Sequence, residues 1–524
     1  MPGSADRPAS SWLEAEWAIV SIIAIAYVAV FAQFAPALLQ DYPDHLARAA
    51  VMDDLALHHG AQFGAAFQLT FMLVPYILHD LLLAGLVETF GAATASIVWQ
   101  VFVLLSLPSA LLMYARATQV RRQDQALVFL LGLYLATSSF YLRGFLAFGL
   151  AIAAILVLLA LARVLCRRWS YALYGCYVVA LVFGYLIHAS VLVLLAPAVA
   201  VSTAIMIKRR DISLFRGSLL LLPLGILFAW HFGVAIGHRD AGDAVSSSFY
   251  WGSLVTKGQD MVWPFVRFSA RADRLMLLAF VVCLLWPYRT RSARQALGDA
   301  HGREMGALAL TLLGVFIVLP QSLAEAAWID VRAIPLVAIF LLMGSLTPAA
   351  RAPSSARTLG DAVAPLLAAL LVTANLVYLD LHLREFNVWL AQYRGVISAI
   401  PPGAYVLPIY TNKRDRPIKS TLHAAAFTVI DRGAFIPYIF SGDKGEPMKY
   451  FRYKQRPYAP EETWYVEPTP AGVDWHRVAC TYGFLLVMKP YDPVRIPIET
   501  RSIVENDAAV LEAVAPGACA AGDR

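Results

Sequence analysis

The chain has 524 residues, of which 59% are hydrophobic and 15% charged, and its mean hydropathy is +0.62. Soluble domains carry about 25% charged residues, so this composition excludes a soluble globular protein and indicates a polytopic α-helical membrane protein. The net charge is +6, but the basic residues fall in short clusters between apolar runs, as the positive-inside rule expects and a nucleic-acid-binding surface does not.

Met1–Ser11 is short and polar. The first apolar run, Trp17–Leu39, is long enough to cross a bilayer core of about 30 Å, which takes roughly 20 residues. It is too long for a signal-peptide core and reads as an uncleaved helix. Directly after it come Gln40, Asp41, Tyr42, Pro43, Asp44, His45, Leu46, Ala47 and Arg48. Two carboxylates, a histidine and an arginine thus stand where the chain first leaves the membrane. Polar groups at such depth are costly and point to function. Residues 45–59 are expected to form a helix lying on the surface, with Leu46, Ala49, Ala50, Leu55 and Leu57 against the membrane and Asp53 and Asp54 outward.

Eleven apolar runs predict helices, at about 17–39, 95–114, 125–141, 145–165, 171–187, 189–207, 216–236, 274–288, 305–320, 332–348 and 361–380. Every second connection is basic: Arg116, Arg121 and Arg122; Arg163, Arg167 and Arg168; Lys208, Arg209, Arg210 and Arg216; Arg289, Arg291, Arg294 and Arg303; Arg351 and Arg357. That alternation places the N-terminus in the cytoplasm and the C-terminus outside. Residues 69–90 are apolar enough to span, but a span there would invert every later basic loop. Pro75, His79, Asp80 and Glu88 suit an interfacial or re-entrant segment on the outer face better.

The loop from Gly237 to Arg271 is polar and aromatic, with Phe249, Tyr250, Trp251, Trp263 and Phe265. After Asp380 the composition turns to Pro, Tyr and charge. Short β-type runs at Tyr405–Tyr410, Thr463–Val466 and Phe484–Met488, with Ala508–Val514 as helix or strand, predict a small α/β domain. The expected organisation is a transmembrane domain over 1–384, with outer loops 40–94 and 237–273, and a periplasmic α/β domain over 385–524. Cys166, Cys176 and Cys283 lie in or beside apolar runs and read as small core residues. Cys480 and Cys519 would form a disulfide if the C-terminal part is extracytoplasmic.

The polar residues concentrate at the outer ends of helices: Asp41, Asp44, His45, Arg48, His79, Asp80, Tyr141, Arg143, His188, Lys257, Arg267, Arg271, Glu325, Asp330 and Arg332. An ion-coupled transporter would place ionisable groups near the midplane; a site at the outer interface suits an enzyme acting on a lipid headgroup. Walker A, GxGxxG, GxSxG and HExxH patterns are absent. His58–His59 has no further ligands at a recognisable spacing, so no metal site is predicted. Each candidate also has a plainer reading. Asp44 could cap a helix starting at His45, His45 and Arg48 share a face at i, i+3, Arg143 could snorkel, His188 could be a satisfied interhelical histidine, and Glu325, Asp330 and Arg332 could pair within their loop.

The layout resembles the GT-C glycosyltransferases, among them the protein O-mannosyltransferases and the aminoarabinose transferase of lipid A. The shared elements are a first helix, an acidic first outer loop, surface helices, about ten further spans and an outer soluble domain. Many such enzymes carry Asp-Glu in the first outer loop, where this chain has Pro43-Asp44-His45. The resemblance implies an enzyme of a bacterial inner membrane that moves a sugar from a polyprenyl-phosphate carrier to a lipid, glycan or protein acceptor, with inversion. Some GT-C enzymes use a divalent cation and others do not. A carboxylate, here Asp41 or Asp44, would be the base. Arginines, with Arg143, Arg332, Arg267 and Arg271 as candidates, would hold the lipid phosphate. His45, Arg48, His79, Asp80, Tyr141, His188, Lys257 and Asp330 would complete the substrate site. Two other classes share parts of this pattern: an O-antigen ligase or polymerase with a diphosphate-linked donor, and a lipid or glycan transporter.

Overall fold

The protein is described from a computed structural model, which covers residues 7–34, 39–237, 249–289, 300–323, 326–346, 359–410, 418, 420–440, 450–454, 457–460, 473–489 and 496–519. Glu325, Lys413–Arg416 and the expected strand at Thr463–Val466 lie outside these residues.

The helices in chain order are α1 (Arg7–Gln33), α2 (Tyr42–Leu57), α3 (Ile77–Ala117), α4 (Gln125–Ala136), α5 (Ser139–Leu142), α6 (Leu146–Arg167), α7 (Tyr171–Ile187), α8 (Ser190–Lys208), α9 (Leu214–Gly237), α10 (Leu254–Asp260) and α11 (Ala270–Leu285). They continue as α12 (Ala300–Val318), α13 (Ile334–Ser345), α14 (Leu359–Ile397), α15 (Phe427–Arg432) and α16 (Trp475–Thr481). Eight helices are long and apolar enough to cross a membrane. The other three apolar runs form α7, α11 and α13, of 17, 16 and 12 residues. The count of membrane-length helices among the described residues is therefore eight, against the eleven runs in the sequence.

α3 packs along α4 and α6, and α12 along α13. One polar knot ties three helices together inside the apolar bundle. Asn375 on α14 donates to Tyr27 Oη of α1 (2.8 Å) and to Thr137 Oγ1 beyond α4 (2.9 Å), and Tyr27 Oη donates to the Val372 carbonyl (3.0 Å). A second knot lies at the end of the bundle where α6 and α8 finish and α12 begins. Glu304 is buried there against Arg163, Arg209 and Ser202. The candidate site lies at the other end, where α6 begins.

Residues 69–90 do not form a separate element. Phe67–Leu69 is a strand (β1), and the helix that starts at Ile77 continues to Ala117 through a non-helical residue, Gly91 (φ 74°, ψ 158°). A helix of 41 residues would be about 60 Å long at 1.5 Å per residue, twice a bilayer core. The break at Gly91 separates a first half, bearing His79 and Asp80, from a second half that is membrane-length by itself. Only glycine adopts that φ/ψ pair without strain.

The C-terminal part contains β5 (Val406–Tyr410), β6 (Phe451–Tyr453), β7 (Phe484–Met488), β8 (Thr500–Glu505) and β9 (Ala509–Val514). Four of them form a mixed sheet in the order β5-β7-β9-β8, with β5–β7 parallel and the rest antiparallel. Cys480 and Cys519 form a disulfide, with a Cα–Cα distance of 4.7 Å. The compositional change near residue 385 falls inside α14, which runs on to Ile397. β6 pairs antiparallel with β1, Phe67 opposite Tyr453. Thr70 N–H donates to the Tyr450 carbonyl (2.7 Å), and Lys454 N–H to that of Ala66 (2.8 Å). The C-terminal part is thus stitched onto the segment that follows the first helix.

This covering changes the expected surface helix. α2 is buried along most of its length: Leu46, Ala49 and Val51 are inaccessible, and Asp54 faces inward. The Asp54 carboxylate accepts the Gln62 and Phe63 N–H groups (3.1 and 2.8 Å) and so holds the turn after the helix. Leu57 is the exposed residue instead.

Candidate active site

After α1 the chain pairs with the turn between α5 and α6. Gln40 N–H donates to the Leu142 carbonyl (3.1 Å), and Asp41 N–H to that of Arg143 (2.9 Å). This approach is close enough to require glycine at 144. Gly144 has φ +82°, and a Cβ there would sit 2.5 Å from Tyr42 N and 2.9 Å from Asp41 N. Tyr42 and Pro43 then open α2, with proline in the first turn, where no N–H is needed.

The helix starts three residues earlier than the sequence suggests. Asp41 holds the N-cap position and Asp44 lies in the first turn, and neither side chain makes a capping hydrogen bond. The capping alternative for Asp44 therefore falls away. Both carboxylates face one imidazole from the C-terminal part. His423 Nδ1 lies 2.8 Å from Asp44 Oδ2, and its Nε2 lies 3.4 Å from Asp41 Oδ1. The side chains of Asp44 and His423 are 1% and 8% exposed, and that of Asp41 is 14% exposed, so Asp41 is the more open of the two acids. Burial raises both carboxyls above their ordinary range, and the nearby His423 opposes this. Asp44 and His423 line a small pocket with Tyr410, Leu422, Ile436 and Tyr438.

Arg143 stands beside Asp41. Its guanidinium rests against a pair of packed indoles, 4.3 Å from the Trp263 ring centroid and 4.8 Å from that of Trp328, which are themselves 4.8 Å apart. Nη1 donates to Gln40 Oε1 (3.4 Å), and Gln40 Nε2 donates to Asp41 Oδ1 (3.2 Å), so one glutamine links the cation to the carboxylate. Burial lowers the arginine's pKa to about 10, with Asp41 opposing, which leaves it charged at neutral pH. Trp328 packs on Phe145, and the Arg332 guanidinium lies over Phe145 and Phe148 (5.8 and 5.5 Å). The two arginines flank one aromatic group. Arg332 Nη1 is also 3.2 Å from His188 Nε2, which contacts Tyr76 Oη (2.9 Å), while Ser190 N–H donates to His188 Nδ1 (3.0 Å). Burial and the adjacent Arg332 keep His188 well below the usual histidine range, hence neutral.

His45, Arg48, His79 and Asp80 come together in a second, closed cluster. Arg48 grips Asp80 with two parallel bonds, Nε to Oδ2 (2.7 Å) and Nη2 to Oδ1 (2.9 Å). Nη2 also reaches His45 Nδ1 (2.8 Å), and Nη1 the Phe440 carbonyl (3.4 Å). Burial, then Arg48, pushes His45 well below its usual pKa, which makes it a neutral acceptor. His79 Nδ1 lies 2.9 Å from Asp80 Oδ1 and its Nε2 accepts from Trp99 Nε1 (3.2 Å); Tyr450 Oη donates to Asp80. His45, His79 and Asp80 have the mutual spacing of a metal site. The guanidinium already occupies the position a cation would take, so this donor set does not fit a metal.

The remaining candidates are engaged elsewhere. Lys257 Nζ binds Asp330 Oδ2 (2.8 Å) and the Phe316 and Leu319 carbonyls (3.2 and 2.8 Å). Arg267 pairs with Asp273 (3.2 Å), whose other oxygen accepts the backbone N–H groups of Arg267, Phe268 and Ser269. Tyr141 Oη donates to the Gln100 carbonyl (3.1 Å). Arg271 is exposed on α11. Sequence reasoning missed His423 and Trp328 as site residues. His423 lies in Thr421-Leu422-His423-Ala424, a setting with no spacing signal that ties it to Asp41.

The layout is a polytopic bundle whose first-loop carboxylates meet a C-terminal sheet-containing part. Two solved structures share it. ArnT from Cupriavidus metallidurans bound to undecaprenyl phosphate aligns with TM-score 0.52 at 12% identity, over 97% of this chain and 99% of that one. Its apo state aligns with TM-score 0.53 at 12% identity, over 96% and 98%. No protein-family model and no curated protein matches the sequence. The likeness to ArnT is therefore one of fold across nearly the whole chain.

Proposed function

We propose that this protein is a membrane glycosyltransferase that takes a sugar from a polyprenyl-phosphate-linked donor and passes it, with inversion, to a lipid, glycan or protein acceptor at the periplasmic face of a bacterial inner membrane. The observation that carries this reading is the pair Asp41 and Asp44 beside Arg143, which rests on two indoles, at the exit of the first helix, in a fold shared with a protein solved bound to undecaprenyl phosphate.

The chemistry follows from these groups. The acceptor hydroxyl or amine attacks the anomeric carbon and loses its proton to a carboxylate; the sugar C–O bond to the phosphate breaks and its electron pair leaves on the phosphate oxygen. Asp41 is the base in this scheme, since its side chain is the more open and burial makes it a stronger base than an ordinary aspartate. Arg143 and Arg332, flanking one aromatic group, would meet the charge developing on the phosphate. Such stabilisation is strongest in a partly water-excluded site. His45, Arg48, His79 and Asp80 would hold the frame of the site rather than touch substrate, because their polar atoms bind one another. The C-terminal part would be the periplasmic domain, and the 77–90 half of α3 would stay on that side of the membrane.

The test uses purified protein in lipid nanodiscs with a panel of polyprenyl-phosphate sugars. Asp41→Asn is expected to lower kcat by about 100-fold or more, the scale of general-base catalysis. Unchanged turnover in both Asp41→Asn and Asp44→Asn would sink the base assignment. A native protein that neither binds undecaprenyl phosphate nor turns over any donor would overturn the donor class.

A further inference from the structure

His423 comes from a stretch nearly four hundred residues after the carboxylates it contacts. Its two ring nitrogens nonetheless lie close to both: Nδ1 2.8 Å from Asp44 Oδ2 and Nε2 3.4 Å from Asp41 Oδ1. It is fixed from behind by Phe440, whose ring centroid is 5.0 Å away and which also packs on His45 at 5.5 Å. The residue itself opens a short helical turn, with its carbonyl accepting from Ala426 N–H (3.0 Å).

Two carboxylates around one imidazole impose a definite proton arrangement. The closer contact, to Asp44, is at ion-pair distance and calls for a proton between Nδ1 and that carboxylate. Nε2 then faces an oxygen of Asp41, and two lone pairs cannot face each other at that distance without a proton between them. The proton resides either on Asp41 with a neutral ring or on His423 with an ionised Asp41. The groups that set this balance are Asp41, Asp44, His45 and Arg48 from α2 and its cap, Arg143 from the α5–α6 turn, and Tyr410 and Tyr438 from the C-terminal part.

We propose that His423 is a positioning residue of the transferase, held by Asp44 and passing protons to and from Asp41, so that the C-terminal part completes the active site. This rests on the glycosyl-transfer reading above. Asp41 acts as base in the state with the proton on His423 Nε2. In each turnover the acceptor's O–H or N–H bond breaks and an O–H bond forms on Asp41. The imidazolium releases its Nε2 proton to water through the pocket, and the proton on Asp41 then moves to the vacated Nε2, which restores the Asp41 carboxylate. Asp44 keeps the ring oriented and balances its charge, the role a buried carboxylate plays toward an imidazole in other acid–base sites.

The experiment compares full-length native protein with His423→Gln, His423→Asn and His423→Ala in nanodiscs. Glutamine and asparagine retain a hydrogen-bond donor and guard against simple misfolding, and undecaprenyl phosphate binding by native mass spectrometry confirms an intact donor site. The expected result is a loss of kcat of about 100-fold with KM within about threefold, the signature of an effect on the chemical step. The acid limb of the kcat/KM profile should move to higher pH, since His423 favours the ionised form of Asp41. Added imidazole should restore part of the activity of His423→Ala. Variants that keep native kcat and an unmoved acid limb would overturn the proposal. A second readout does not need turnover: the ring signals of His423 in ¹³C-histidine-labelled protein, assigned by loss in His423→Gln, should change in both Asp41→Asn and Asp44→Asn. If no donor is turned over but the ring responds to both substitutions, the glycosyl-transfer reading fails and the three-residue coupling stands. If the ring responds to neither, the coupling fails whatever the donor.

Discussion

At the scale of single residues, burial without compensation separates the two polar clusters. Arg48 and Asp80 have inaccessible side chains and satisfy one another through a bidentate pair. Removing one member of such a pair leaves an uncompensated buried charge, which costs about 3–5 kcal/mol. Arg48→Ala is therefore expected to lower the thermal midpoint strongly in detergent, followed by tryptophan fluorescence, at any pH where Asp80 is ionised. Asp44 behaves in the opposite sense. Its carboxyl is raised above the ordinary 3.8 by burial, so the folded chain holds that proton more tightly than the unfolded chain. Stability from this group is present at low pH and is lost as pH rises through the raised folded value. Asp44→Asn cannot ionise and escapes that loss. Its midpoint relative to the native protein should rise between about pH 4 and pH 8 while transfer falls; a constant or falling difference would show that Asp44 is not held against its burial.

At the scale of elements, the first loop is placed by a backbone contact rather than by side chains. The Asp41 and Tyr42 amides press against Gly144. Gly144→Ala must move the loop or the α5–α6 turn, and overpacking of this kind costs about 1–3 kcal/mol. The expected outcome is a modest loss of thermal stability with a larger loss of kcat, because the base shifts with its backbone while Arg143 stays against its indoles. Equal kcat in Gly144→Ala and native protein would mean that Asp41 tolerates displacement, contrary to its proposed role. The break at Gly91 acts at the same scale, dividing one long apolar helix into two directions. The sequence read 69–90 as interfacial or re-entrant and 95–114 as a separate helix, whereas one helix runs from Ile77 to Ala117 and its kink rests on the backbone of one residue, Gly91, that periodicity does not report.

At the scale of the whole molecule, the C-terminal part is a structural wall of the site. It pairs β6 with β1, supplies Tyr450 to Asp80 and His423 to the two aspartates, and covers α2. Its disulfide also offers a test of sidedness. Cys480 and Cys519 are bonded, whereas Cys166, Cys176 and Cys283 are free. Bonds of this kind persist in oxidising compartments. Protein denatured without reductant is expected to take up maleimide at three cysteines, and at five after reduction, counted by mass spectrometry. Five labelled cysteines without reductant would place the C-terminal part on the reducing side and overturn the periplasmic assignment.

Composition and hydropathy by themselves determined that this chain is a helical membrane protein, because burying a spanning helix in lipid demands long apolar runs that any reading of the sequence detects. They also located Asp41, Asp44 and Arg143, since charge beside a membrane-length run is conspicuous. They suggested β-type runs at Tyr405–Tyr410, Thr463–Val466 and Phe484–Met488 and a helix or strand at Ala508–Val514; strands stand at Val406–Tyr410, Phe484–Met488 and Ala509–Val514, and Thr463–Val466 lies outside the described residues. Tertiary structure decided the rest. Lys257, Arg267 and Asp330 looked like ligands of a substrate and proved to be bonded within the protein. His45, Arg48, His79 and Asp80 closed on one another, and α2 moved from the surface to the interior. The reason is common to all of these. A polar side chain at a helix end has the same sequence signature whether it faces solvent, substrate or a partner hundreds of residues away, and only the packed chain shows which groups are already satisfied. Asp41 and Asp44 emerged from that test facing His423, a residue no local pattern connects to them.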